Sequence, residues 1–263
     1  VRARLARYLR EGPLDDETRA RLKKRDLGGG VRVGDFVAGR NAPAWLREGL
    51  AFTGIALDAD GRPVEIMHSD EVYALMDDDL VPERTAQILD VFERPFPLGL
   101  GTEAGLLITN PVLDPRPEIW RALRPAGYHG ANIWPWTVRG AITGLLRQLE
   151  GALPPVLRRR AEGEIRHQAG ALEAAGLLAL SEVMVPGLAR DGTMRAEAMK
   201  ENLDGQHANP DQQWSASAGI LHPEYQRVLA GKPTGPAAAG RLRTLQPLQP
   251  LNLPGVLLSG GIS

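Results

Sequence analysis

The sequence contains no cysteine. This absence excludes disulfide bonds, thiolate metal sites and a catalytic thiol, and it fits a reducing compartment. An excess of charge of one sign is also missing, because 31 Lys and Arg residues face 32 Asp and Glu residues, for a formal net charge of -1. Such a balance offers no broad positive surface for nucleic acid or for an anionic membrane. We therefore expect neither of these partners.

Long hydrophobic runs are absent as well. Residues 171–185 form one of the longest apolar stretches, but Glu173 and Glu182 interrupt it. A transmembrane helix needs about 20 consecutive apolar residues, so no membrane-spanning segment is expected. The first ten residues are basic and amphipathic and lack the apolar centre of an export signal. We expect a cytoplasmic location, an expectation that does not rest on these first residues.

The composition is that of a folded protein. Hydrophobic residues make up 43% of the 263 residues and charged residues 24%, which is ordinary globular usage. The length is sufficient for a sizeable core in one or two domains. We expect one domain over residues 1–231 and a tail rich in Pro, Gly and Leu over residues 232–263.

Apolar periodicity predicts a mostly helical fold. The predicted helices cover residues 3–22, 70–76, 83–92, 136–149, 156–185 and 214–229. The first is either one helix or two short ones broken at Gly12-Pro13. Ser69 is the predicted N-cap of the second helix, and Gly61 is expected to supply a positive φ in the turn at residues 58–63. Long irregular segments, such as residues 31–57 and 94–126, are uncommon in a compact domain unless they are functional. The pattern therefore predicts a helical scaffold with functional loops gathered at one end.

A dense aromatic cluster lies at residues 128–136, which read Tyr-His-Gly-Ala-Asn-Ile-Trp-Pro-Trp. Trp134 and Trp136 are two of the five tryptophans in the chain, and they stand just before a predicted helix. Aromatic faces stack on the apolar C–H faces of sugar rings, while His, Asn and Tyr side chains hydrogen-bond to hydroxyl groups. The cluster therefore indicates a sugar site. Burial of the two tryptophans in the core is the alternative.

A polar segment precedes the predicted helix over residues 214–229. Residues 200–205 read Lys-Glu-Asn-Leu-Asp-Gly, and residues 214–217 read Trp-Ser-Ala-Ser. A carboxylate such as Glu201, in a polar loop ahead of a helix, suits a general base that activates water. The alternative is that Glu201 is a surface acid and Ser215 a helix cap.

Together these two segments resemble motifs of the helical, six-hairpin-toroid glycoside hydrolases, especially the amylo-1,6-glucosidase (glycogen-debranching) group and the processing α-glucosidases. Residues 128–136 are similar to the family pattern Y-H-x-G-x-x-W-P-W, although here Gly130 directly follows His129. Residues 201–217 resemble the pattern E-N/L-x-x-G followed by W-S-A. Weaker similarities occur in the family's order at residues 56–61, 67–71 and 98–103.

The resemblance implies an all-α fold, an (α/α)6 toroid of helical hairpins with short strands in the loops. It also implies an inverting hydrolase that acts on α-linked glucosides such as branched oligosaccharides, with two carboxylates flanking the scissile bond and no cofactor. Glu201 stands at the position of the family's catalytic base. The residues expected around the sugar are Tyr128, His129, Trp134, Trp136, Trp214 and Arg139. For Arg139, a surface salt bridge is the alternative.

The general acid of the family has no counterpart in this chain. In the family it lies upstream of an A-L-D-x-x-G turn, here at residues 56–61, and the acidic residues before that turn match no acid motif. We therefore expect residues 1–231 to be the C-terminal part of a barrel, with the N-terminal half and the acid outside this chain. The alternative places the acid at Asp70, Glu71 or Glu103. On the first interpretation the chain alone releases little or no glucose from a branched dextrin, because leaving-group protonation contributes about 10²–10⁴-fold.

Other interpretations remain open at the level of sequence. The aromatic segment does not identify which sugar is bound, so a mannoside or glucosylglycerate hydrolase with the same toroid fold is an alternative. A non-catalytic helical carbohydrate-binding protein would use the same aromatic residues. A metal site is not expected, because no two of the scattered histidines have helical i, i+4 spacing; these are His68, His167, His207 and His222.

Overall fold

The computed structural model describes residues 9–10, 14–27, 32–35, 50–125, 127–174, 183–188, 194–198 and 230. The predicted, mainly α-helical fold is confirmed in this part of the chain. Its helices are α1 (Asp16–Lys24), α2 (Glu71–Ala74), α3 (Pro82–Glu93), α4 (Pro117–Leu123), α5 (Pro135–Glu150) and α6 (Pro155–Ala174). Short strands pair antiparallel: β1 (Leu9–Arg10) with β2 (Phe52–Thr53), β3 (Met67–His68) with β6 (Thr109–Asn110), β4 (Gly101–Thr102) with β5 (Gly105–Leu106), and β7 (Met184–Leu188) with β8 (Met194–Ala198).

Proline is the first residue of four of the helices in the described part of the chain. Pro82, Pro117, Pro135 and Pro155 are the first residues of α3, α4, α5 and α6. The proline ring holds φ near its helical value, and its missing N–H is one that the first helical turn leaves unpaired in any case. The predicted helices at residues 83–92 and 136–149 are confirmed to within one residue at each end.

Two predicted helix boundaries are wrong. Leu9 and Arg10, assigned by periodicity to the helical segment over residues 3–22, form β1 because they pair with Phe52 and Thr53 of β2. The helix predicted over residues 156–185 does not reach its last two residues, because they belong to β7. In both cases, pairing with distant backbone overrides local periodicity. The segment 94–126, predicted not to form one element, contains three short strands and α4. The predicted helix over residues 214–229 and the tail over residues 232–263 lie outside the described residues.

Ser69 does not cap α2, contrary to the prediction. The N-cap residue is Asp70, with φ -60° and ψ -12°, and it makes no side-chain cap hydrogen bond. The hydroxyl of Ser69 is buried and has no hydrogen-bond partner among the described residues. The main chain closes the turn instead, since Val72 N donates to Ser69 O at 2.9 Å. By contrast, the positive φ predicted for Gly61 is confirmed, at 77°.

Helix α5 forms the centre of the core. Its apolar residues recur at the i, i+3, i+4, i+7 spacing of a buried helix face; those buried are Val138, Ala141, Ile142, Leu145, Leu146 and Leu149. α5 packs against α6 and α2, and α6 also packs against α3. Packing on two sides fixes the position of the first turn of α5, where the predicted aromatic cluster ends.

The close approach of α5 to α2 depends on a glycine. A Cβ atom at Gly144 would lie 2.5 Å from Leu75 Cβ and 3.2 Å from Val72 O. Both distances are shorter than ordinary van der Waals contact, so the two helices would have to separate around a larger residue.

We expect Gly144→Ala to lower the free energy of unfolding by about 1–3 kcal/mol, because overpacking strains the helix contact. Gly170 in α6 is the matched control, since a Cβ there would meet nothing within 4 Å. Gly170→Ala is expected to raise the free energy of unfolding by roughly 0.5–1 kcal/mol through helix propensity. Urea denaturation followed by circular dichroism measures both changes. Equal stability of the Gly144→Ala and wild-type chains would contradict the close packing.

Candidate functional site

Residues 127–136, called here the aromatic loop, lead into α5 and bring three rings together. The His129 ring stacks on Trp134, with the ring centroids 5.7 Å apart and the planes 10° apart. Tyr128 meets Trp134 edge-on at 5.2 Å and His129 edge-on at 4.9 Å. These separations are in the favourable range for aromatic pairs, so the three side chains hold one another in place.

The rings differ in exposure. Trp134 is 8% exposed, so it lies beneath the other two rings. His129 is exposed, whereas Tyr128 and Trp136 are half-buried. A ligand approaching from solvent therefore meets His129, Tyr128 and Trp136, with Trp134 as their support. The predicted residues Tyr128, His129, Trp134 and Trp136 thus lie together.

Two polar side chains hold the backbone of the aromatic loop. Asn132 is fully buried, and its Nδ2 donates to Gly127 O and, at 3.5 Å, to Tyr128 O. Thr109 in β6 donates from Oγ1 to His129 O at 3.2 Å. Neither role was predicted from the sequence. Asn132 lies within the aromatic motif, so the sequence could have pointed to its role. The hydrogen bond from Thr109 to His129 spans 20 residues, and no local sequence pattern predicts it.

The aromatic loop belongs to a small ladder of chain segments. Ser69 N donates to Ile108 O at 2.8 Å, and Ile108 N donates to Asn132 O at 2.7 Å. On the other side, Ile133 and Met184 exchange two main-chain hydrogen bonds of 2.8 Å. Segments that are distant in sequence therefore lie side by side, as in an irregular sheet. The ladder places the Ile108 segment between the loop before α2 and the aromatic loop.

Arg139 lies one helical turn after Trp136 on α5. Residues three apart share a helix face, so its side chain is on the same side of α5 as that indole ring. Arg139 is half-buried, and burial lowers the pKa of its guanidinium group.

Glu71 is committed to a structural role. Its Oε1 accepts from Thr53 N at 2.7 Å and pairs with the Arg84 guanidinium at 2.6 Å. Only 2% of the Glu71 side chain is exposed, compared with 19% of Arg84. The Glu71 carboxylate thus joins Thr53 of β2 to Arg84 of α3. These contacts do not favour Glu71 as a general acid.

Asp70 and Glu103, the other two carboxylates considered as acids, lie at the surface. Asp70 Oδ2 is 3.5 Å from His68 Nδ1, and this neighbour lowers the pKa of the Asp70 carboxyl. A lowered pKa keeps the proton off at neutral pH, the opposite of what a general acid needs. Glu103 lies in the exposed turn between β4 and β5.

Glu201 and Trp214 lie outside the described residues, so their predicted roles remain predictions. No group of three or more His, Asp or Glu side chains among the described residues is arranged to hold a metal ion. In the same part of the chain, every helix is too short or too polar to cross a bilayer.

Comparison with known proteins finds no match, either among protein-family models or among curated protein sequences.

Proposed function

We propose that the chain is part of a six-hairpin-toroid glycoside hydrolase that acts on α-linked glucosides with inversion of configuration. One observation supports this most directly: the exposed His129 ring is stacked on Trp134, with Tyr128 edge-on to both. The result is an aromatic surface with polar edges on the loop that leads into α5, a combination that suits a sugar ring.

Each part of the surface has a chemical task in this proposal. The rings of Tyr128 and Trp136 offer apolar faces to the C–H groups of the sugar, while His129 and Arg139 hydrogen-bond to its hydroxyl groups. Glu201 takes the proton of the attacking water, a role that rests on the resemblance to the toroid glycosidases. The general acid is supplied by chain outside these 263 residues.

Isothermal titration calorimetry with panose, an α-linked glucose trisaccharide, tests the sugar-binding surface. We expect His129→Ala to weaken binding about tenfold, because a hydrogen bond and a ring contact together contribute roughly 1–1.5 kcal/mol. His129 is exposed, so the variant is expected to fold.

Tyr73→Ala is the control for this experiment. Tyr73 is 59% exposed and lies on α2, so its removal takes away an exposed aromatic ring outside the aromatic loop. We expect this variant to bind panose as the wild type does. Equal affinity of His129→Ala and the wild type, or no binding by the wild type, would count against the proposed function.

A further inference from the structure

The hairpin formed by β4 and β5, residues 101–106, packs directly against the aromatic loop and the start of α5. A Cβ atom at Gly105 would lie 3.3 Å from Ile133 Cγ2 and 3.4 Å from Val138 Cγ2. Both distances are at the short limit of van der Waals contact, so only a residue without a side chain packs there undisturbed. Leu107, two residues further along, also forms a β-bridge with Ile133.

Ile133 and Val138 enclose the part of the chain that carries two of the tryptophans. Ile133 directly precedes Trp134 in the aromatic loop, and Val138 follows Trp136 by two residues in the first turn of α5. Both aliphatic side chains are fully buried. Close-packed interiors transmit displacements, so a shift of the hairpin at Gly105 reaches both ends of residues 134–137.

The main chain at Gly105 has a conformation that residues with a side chain rarely adopt. Its φ is 124°, in the region that only glycine occupies at low cost. Glycine is therefore required here for two separate reasons, the backbone conformation and the close contact with the aromatic loop and α5.

Thr102 holds the turn of the hairpin from within. Its Oγ1 donates to Gly105 O at 2.7 Å and accepts from Ala104 N at 3.1 Å. Thr102 is buried, so water does not readily replace either hydrogen bond. One hydroxyl group therefore connects two main-chain groups of the turn and fixes the carbonyl group of Gly105.

We propose that Thr102 and Gly105 are positioning residues for the aromatic surface. The hydroxyl of Thr102 fixes the turn of the hairpin. The main chain at Gly105 then holds Ile133 and Val138, and with them the segment that carries the two indole rings. The consequence for sugar affinity rests on the proposed function, whereas the placement of the indole rings does not.

Proton–nitrogen correlation NMR of the indole groups in the whole chain tests this placement. Trp134 Nε1 is buried and has no hydrogen-bond partner among the described residues, so its signal reports on the packing around the ring. Trp134→Phe assigns the signal by removing it. We expect Gly105→Ala to shift it, because the added methyl group displaces Ile133. The indole signal of Trp120, which lies against Arg25 of α1, should not move.

Gly61→Ala is the matched control for backbone strain. Gly61 also has a positive φ, 77°, but a Cβ atom there would meet nothing within 4 Å. Both variants are expected to lose stability, whereas only Gly105→Ala should shift the Trp134 signal. An equal shift in Gly61→Ala would overturn the positioning role, because loss of stability alone would then move the ring.

Thr102→Val and Thr102→Ser test the same role without adding a group to the contact, and they decide the matter even if Gly105→Ala does not fold. Valine keeps the shape of threonine and lacks the hydroxyl group, whereas serine keeps the hydroxyl. We expect Thr102→Val to shift the Trp134 signal and Thr102→Ser to leave it at the wild-type position. A wild-type signal in Thr102→Val overturns the proposed role of the turn.

Panose titration of the same variants separates this proposal from the proposed function. We expect Gly105→Ala and Thr102→Val to bind panose about threefold to tenfold more weakly than the wild type, which corresponds to the loss of one well-placed hydrogen bond. Gly61→Ala and Thr102→Ser should bind as the wild type does. If the Trp134 signal shifts as expected but the wild type does not bind panose, the proposed function fails and the positioning role stands. If the wild type binds panose and both shifted variants bind it equally well, the positioning role is overturned.

Discussion

Glu201→Gln is expected to slow the hydrolysis of α-glucosyl fluoride by about 10²–10⁴-fold, the contribution of a general base. Fluoride leaves without being protonated, so this substrate needs no general acid and isolates the role of the base. On the proposed mechanism, water adds to the anomeric carbon as the C–F bond breaks, and Glu201 takes the proton of the water. The amide of glutamine cannot accept that proton at neutral pH. Release of fluoride, followed with an ion-selective electrode, measures the rate.

Two comparisons make this experiment decisive. Glu118→Gln removes an exposed carboxylate at the start of α4 and should leave the rate unchanged. With a branched dextrin the wild-type chain should release little or no glucose, because that leaving group must be protonated. Strong turnover of dextrin would contradict the expectation that the general acid lies outside this chain. No turnover of the fluoride by the wild type, together with binding of panose, would favour a non-catalytic carbohydrate-binding protein.

Glu71→Ala is expected to lower the free energy of unfolding by about 3–5 kcal/mol, among the largest changes from one substitution in this chain. The substitution leaves the Arg84 guanidinium, which is largely buried, without its carboxylate. It also removes the acceptor of Thr53 N in β2. An uncompensated buried charge is more costly than the loss of an ordinary hydrogen bond. Urea denaturation gives the change directly.

Asp78→Asn is the matched control, because it breaks an ion pair that lies at the surface. Asp78 Oδ1 is 2.7 Å from Arg147 Nε, and both side chains are well exposed. Such pairs contribute at most about 1 kcal/mol, so the free energy of unfolding of this variant should be close to that of the wild type. The double variant Glu71→Gln/Arg84→Gln should recover part of the stability, since no unpaired charge remains. If the free energy of unfolding of Glu71→Ala lies within about 1 kcal/mol of the wild-type value, the stabilising role of the Glu71–Arg84 pair is contradicted.

The helices could be predicted where their signals are local. In α5, proline at the first position and apolar residues at helical spacing agree, and both ends were predicted to within one residue. The same reasoning failed at Leu9, where periodicity is helical but the backbone pairs with Thr53, more than forty residues away. It also failed for Ser69, whose residue type suits a cap but whose hydroxyl is buried.

The candidate site could be predicted in part. The aromatic motif identified Tyr128, His129 and Trp134 as neighbours, because they are close in sequence and immediately precede a helix. Their order of burial was not predictable, since it depends on which ring the surrounding chain covers. The hydrogen bond from Thr109 to His129 O could not be predicted either, because it joins two segments that share no sequence pattern.

The sequence by itself determined the mainly helical fold, the starts of the long helices and the aromatic motif, because backbone geometry and local periodicity act over a few residues. Only the tertiary structure decided that Trp134 lies beneath His129, that Glu71 pairs with Arg84, and that the β4–β5 hairpin lies against the aromatic loop at Ile133. These are contacts between distant segments. They depend on how the whole core packs, and burial and electrostatic environment are properties of that packing rather than of any single segment.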